Sequence, residues 1–183
     1  MAIHQALSGC VKVRPLYRIR QFLSALHPDA QSADVEAGHF LSEAQTQLFQ
    51  GMSPVERRHA VAVLRTLQRA GQVDLVLGQA ALLHDVGKTG GRIRLWHRVL
   101  VVLLQACCPG ALGKLGAADP TSWRYPFYVE LHHAELGALM AARAGVEDAG
   151  VRLIDRHHST PRDEASQAER ELLSRLQAAD EAN

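Results

Sequence analysis

From end to end this 183-residue chain places apolar residues three and four positions apart, and almost nowhere at alternate positions. A strand must repeat every two residues to show one face to a core and a helix about every 3.6, so the spacing predicts an all-α fold. Hydrophobic residues make up 47% of the chain, and its length suits one domain with one sizeable core.

Helix boundaries follow from the punctuation. Pro15 reads as the first-turn residue of a helix carrying Ile19, Phe22, Leu23 and Leu26, stopped by His27-Pro28. A second helix is expected over about 36–49, ending at Gly51. Ser53-Pro54-Val55-Glu56 is a capping box with proline at the first helical position. Beyond it Val55, His59, Ala62, Val63 and Leu67 form one apolar stripe, with His59 inside it. Asp74 can cap a helix over 75–85 that is apolar nearly all round, hence central and buried, with Gly87 as its stop.

Residues 89–126 begin at a Gly-Gly hinge and an Arg-rich turn, continue into an apolar helix over 95–108, and end in a Gly/Pro-punctuated loop. We expect helices again from about Phe127 to Gly145, over 147–158, and over 164–179. The predicted organisation is a helical extension at 1–52 packed on a core domain at 53–183, with a helical insertion at about 89–126. The arginines of the insertion, Arg92, Arg94, Arg98 and Arg124, fit a solvated face better than a lid, and the apolar run 95–108 offers a homodimer surface.

Several classes are disfavoured. Twenty basic against 19 acidic residues give a net charge of +1, and only 5% of residues are aromatic, so no nucleic-acid partner is expected. The longest apolar run, 99–108, is far short of the ~20 residues of a spanning helix. Cys10, Cys107 and Cys108 are odd in number and two are adjacent, which suits a reducing compartment. With no secretory pattern in the first residues, the expected location is cytoplasmic.

Chemistry concentrates in His and Asp. His59, His84-Asp85, His133, His157-His158 and Asp180 come from five predicted helices, each from an apolar face or a terminal turn. Any one of these histidines alone is better read as a hydrogen-bonded core residue. Together they offer imidazole and carboxylate ligands that helices of a bundle can converge on a transition-metal ion. His132 points about 100° away from His133 and is not expected to be a ligand. His4, His27, His39 and His97 receive no role.

His84-Asp85-Val86-Gly87-Lys88, with His59 on the preceding helix and Asp180 near the end of the chain, resembles the signature of the HD superfamily of metal-dependent phosphohydrolases. His133-Ala134-Glu135-Leu136-Gly137 is similar to the His-Pro-Glu-x-Gly element, and His157-His158 to the paired histidines, of its two-metal subgroup. That subgroup includes HD-GYP and related cyclic-dinucleotide phosphodiesterases. The resemblance spans about 53–183 and implies a single HD-type helical bundle with a metal site in its core. It implies one ion on His59, His84, Asp85 and Asp180, with Asp85 bridging to a second ion on His133, His157 and His158. One or two divalent ions are expected, iron or manganese foremost, and zinc, cobalt or nickel is compatible.

The same resemblance implies hydrolysis of a phosphate ester of a nucleotide or related small molecule by metal-activated hydroxide. Asp85 and Lys88 would be the catalytic residues, and Lys88 would contact the substrate phosphate. The other reading of Lys88 is a cation favourable to a helix C-terminus. Ser159-Thr160-Pro161-Arg162-Asp163 follows His158 in place of a Gly-Tyr-Pro loop, so a generic phosphodiesterase is implied rather than one specific for cyclic di-GMP. Val55 stands where some relatives carry a glutamate for a third metal, and none is expected here. Two further functions are compatible with the residues: a di-iron oxygenase using the same ligands, and a non-catalytic nucleotide-sensing or scaffold module.

Overall fold

The computed structural model describes residues 35–91, 97, 99–101, 103–104, 119–159 and 165–183. The expected helix after Pro15, the cysteines, Arg92, Arg94 and Arg98, and the segment 160–164 lie outside the described residues. Every regular element among the described residues is helical, and none of these helices is long and apolar enough to cross a membrane.

The chain enters through one helical turn at 35–37 and then breaks before α1, Glu43–Gly51. A continuous helix over 36–49 was expected. The break has a local cause: Ser42 accepts from the backbone of Gln45 while Gln45 reaches back to Ser42, a capping box that starts a new helix. The freed loop places Phe40 against Gly78, where a Cβ would lie 2.2 Å from the Phe40 ring.

Helix α2, Pro54–Ala70, begins at the predicted box, with Ser53 and Glu56 each bonding the other's backbone. Its buried positions include Ala60, Val63, Leu64 and Leu67, so the stripe is turned from the expected one and His59 stands at its border. Helix α3, Leu75–Leu83, is capped by Asp74 and buried from Leu77 onwards. It contributes to one core with Phe49, Leu64, Ile154 and Leu176.

Past His84 and Asp85 the chain tightens into a 3₁₀ segment, Val86–Gly91, laid along α4, Tyr125–Arg143. Gly87 is therefore not a left-handed helix stop. A Cβ there would meet the carbonyl oxygen of His133 at 2.0 Å and the amide of Gly137 at 2.6 Å, so the close approach of two backbones requires glycine. Helix α4 is capped by Ala144 and followed by Gly145, whose φ of 77° suits glycine. Helix α5, Asp148–Arg156, and α6, Gln167–Glu181, complete the bundle, with Leu173, Leu176 and Ala179 of α6 buried. In the insertion, Val101 packs on Phe127, whereas Val99 and Leu103 are exposed.

Candidate metal centre

Helix ends, the middle of one helix and the border of another's buried stripe bring the seven predicted ligand residues together. His84 and Asp85 form the turn that leaves α3, and His157 and His158 the turn that leaves α5. His133 faces inward from the middle of α4, beside the 3₁₀ segment. His59 comes from the border of the α2 stripe, and Asp180 from the last turn of α6. The side chains of His84, Asp85, His133 and His157 are at most 7% exposed, whereas His158 is exposed and marks the open edge.

Asp85 is the hub. Its Oδ1 lies 3.5 Å from His133 Nε2 and 3.9 Å from His157 Nε2, and its Oδ2 lies 3.8 Å from His84 Nε2. The two oxygens of one carboxylate thus face two different imidazole sets. Lys88 Nζ approaches both, at 2.7 Å from Oδ1 and 2.8 Å from Oδ2. On one side, Asp180 Oδ1 is 2.8 Å from His59 Nε2 and 3.6 Å from His84 Nε2. On the other, His133 Nε2 is 3.3 Å from His157 Nε2 and 3.1 Å from His158 Nε2. Two groups of ligand atoms are close enough to hold a metal ion: His59, His84 and Asp85, and Asp85, His133, His157 and His158.

The tautomers explain what these rings are arranged to do. His84, His133 and His157 each direct Nδ1 at the carbonyl oxygen three residues earlier, on Ala81, Glu130 and Ile154, at 2.9, 2.8 and 2.6 Å. A carbonyl only accepts, so each neutral ring carries its proton on Nδ1 and presents a bare Nε2 lone pair. His84 Nε2 is buried without a hydrogen-bond partner. His133 and His157 point lone pair at lone pair. A cation between such atoms turns a repulsion into two bonds, so the donor set could hold a metal ion. Sequence reasoning missed these three carbonyls, and it had no signal for them because every residue has one.

Charge is organised to match. Burial pushes the His157 ring down to about 2, with His84 and His158 adding to the effect. Burial followed by Lys88 pushes His133 down to about 4. Burial and then Lys88 also lower His158. His84 is raised instead: burial opposes its charge, but the carboxylates of Asp85 and Asp180 outweigh burial. Burial would raise both carboxylates, yet Lys88 and the imidazoles hold Asp85 well below the usual range, and His59 and His84 do the same for Asp180.

These shifts fix the sign of a pH effect in chelated protein. His133 and His157 stay neutral in the fold, whereas an unfolded imidazole takes a proton near 6.5. The unfolded chain therefore binds more protons between about pH 6.5 and pH 4, and stability falls as pH drops through that window. His84 alone runs the other way: its contribution is present below 6.5 and is lost as pH rises through its raised value. With three rings lowered against one raised, the urea midpoint should decrease from pH 7 to pH 5. A midpoint that holds or rises over that interval would contradict a neutral imidazole set.

Gln177 on α6 also enters the site's surroundings, donating from Nε2 to the carbonyl of Ser159 at 2.8 Å. Comparison of the chain with family models, curated proteins and solved structures gives no match.

Proposed function

We propose that this chain is a metal-dependent phosphohydrolase of the HD type, acting on a phosphate ester of a nucleotide or related small molecule. The ions would be two divalent transition metals, iron or manganese foremost. The observation that carries the reading is the division of Asp85, one oxygen towards each imidazole set. A carboxylate so divided suits a bridge between two cations. His59, His84 and Asp180 would complete one site, and His133, His157 and His158 the other.

Ions held there supply Lewis acidity towards phosphoryl oxygens and lower the pKa of water. The protein's own groups do the rest. Asp85 stays ionised at neutral pH, so it serves as a ligand and not as a proton donor. His133 and His157 stay neutral, which keeps their lone pairs available. The Lys88 ammonium stands beside Asp85, where its N–H donors can bind and orient a phosphate oxygen. The exposed edge at His158 gives substrate an approach, and the buried walls behind it limit competing water.

The test pairs elemental analysis of protein purified without chelator with hydrolysis of bis(p-nitrophenyl) phosphate in manganese. About two equivalents of metal and manganese-dependent turnover are expected. No metal after reconstitution and no turnover would defeat the proposal. Oxygen uptake by iron-loaded protein without hydrolysis would replace it with the oxygenase reading.

A further inference from the structure

We propose that Gln177 is a positioning residue for the His157-His158 turn and thereby sets the affinity of the second ion; this rests on the two-metal reading above. His157 is held by its own helix, through Ile154 O. His158 is exposed, and its ring leans on those of His157 and His133, at centroid distances of 4.0 and 5.0 Å. Its place therefore depends on the path of the backbone from Arg156 to Ser159. That path is where α5 ends, and within the turn the Ser159 amide donates to Arg156 O at 2.8 Å, a bond that ties the turn to itself but not to the rest of the bundle.

Gln177 supplies that tie from another helix. Its amide donates to Ser159 O at 2.8 Å and lies 3.5 Å from Arg156 O, so one nitrogen spans the turn that carries both histidines. Glu169 of α6 adds a side-chain tie to Arg156 at 3.0 Å, but only Gln177 among these holds the backbone itself. Gln177 also precedes Asp180 by three residues, so the two share one side of α6. One helix thus gives the first site a ligand and the second site its alignment.

The experiment is a manganese titration followed by electron paramagnetic resonance. The wild-type protein should develop the signal of an exchange-coupled pair. In Gln177→Ala the first ion should bind as before and the second roughly 10–100-fold more weakly, leaving the hyperfine pattern of an isolated ion where wild type is coupled. Gln177→Glu keeps the length but removes the donor, and should behave alike. Gln167→Ala, which removes an exposed amide bonded to Glu171 on the same helix, should leave the titration unchanged. The chelated Gln177 variants should unfold near the wild-type urea midpoint, since a merely structural role would lower it without separating the two ions. A coupled signal in Gln177→Ala and Gln177→Glu at the wild-type manganese concentration would overturn the proposal while leaving the metal reading intact. A wild-type protein that never becomes coupled would overturn both.

Discussion

Asp85→Ala is expected to release both ions at once and to lower metal-dependent hydrolysis on the order of a thousandfold. Among the seven candidate ligand residues, Asp85 alone faces His84 with one oxygen and His133 and His157 with the other, so removal of no other one of them should reach both sites. His59→Ala or His158→Ala touches one set only and should leave one ion behind. Asp85→Asn separates charge from shape: it keeps the volume and one oxygen but cannot offer an anion to two cations, so it should also fail to hold a pair. Elemental analysis after gel filtration reads the outcome directly. Two equivalents of metal in Asp85→Ala would remove Asp85 from the centre and the bridging argument with it.

Gly87→Ala should be the most destabilising glycine-to-alanine change among the described residues, costing about 3 kcal/mol. The reason is the nature of the neighbours. The new carbon would sit 2.0 Å from the His133 carbonyl oxygen and 2.6 Å from the Gly137 amide, both backbone atoms of α4 that cannot rotate aside. The 3₁₀ segment would have to lift away from α4, carrying Lys88 and shifting Asp85 from His133. Gly78→Ala is the comparison. Its clash is with the Phe40 side chain, which can turn, so its cost should be smaller. Urea denaturation of chelated proteins measures both, and equal midpoints for the two variants would contradict this backbone contact.

Much of this arrangement was legible in the residues, for identifiable reasons. Caps are short-range chemistry, so Ser53 with Glu56, and Asp74, marked the starts of α2 and α3 where the structure has them. The Ser42-Gln45 box is the same chemistry, but the apolar spacing on both sides of it ran together and hid the break. The seven candidate ligand residues could be named because His and Asp are conspicuous on apolar faces and helix ends, and because their order along the chain resembles that of a known metal-binding family. Their pairing could not be: that Asp180 meets His59, or that His133 and His157 oppose lone pairs, depends on how distant helices pack. The phase of α2 shows the limit, since Val55 and Ala62 look as apolar as Ala60 and Leu64 until a neighbour decides which are covered. Gly87 carries the same lesson, because a glycine needed for space looks like one that ends a helix.

The two halves of the centre are built on different lengths of chain. His133 meets His157 and His158 across 24 and 25 residues, within two consecutive helices joined by a short turn. His59 and Asp180 meet across 121 residues. Closing the longer loop costs more chain entropy and waits on more of the fold, so the imidazole trio is the part that can assemble early and the His59–Asp180 pair the part that closes late. An ion captured by the trio would find a partial coordination shell before the bundle is complete, so on the two-metal reading metal supply during folding, and not only afterwards, would bear on how much of this protein reaches its finished state.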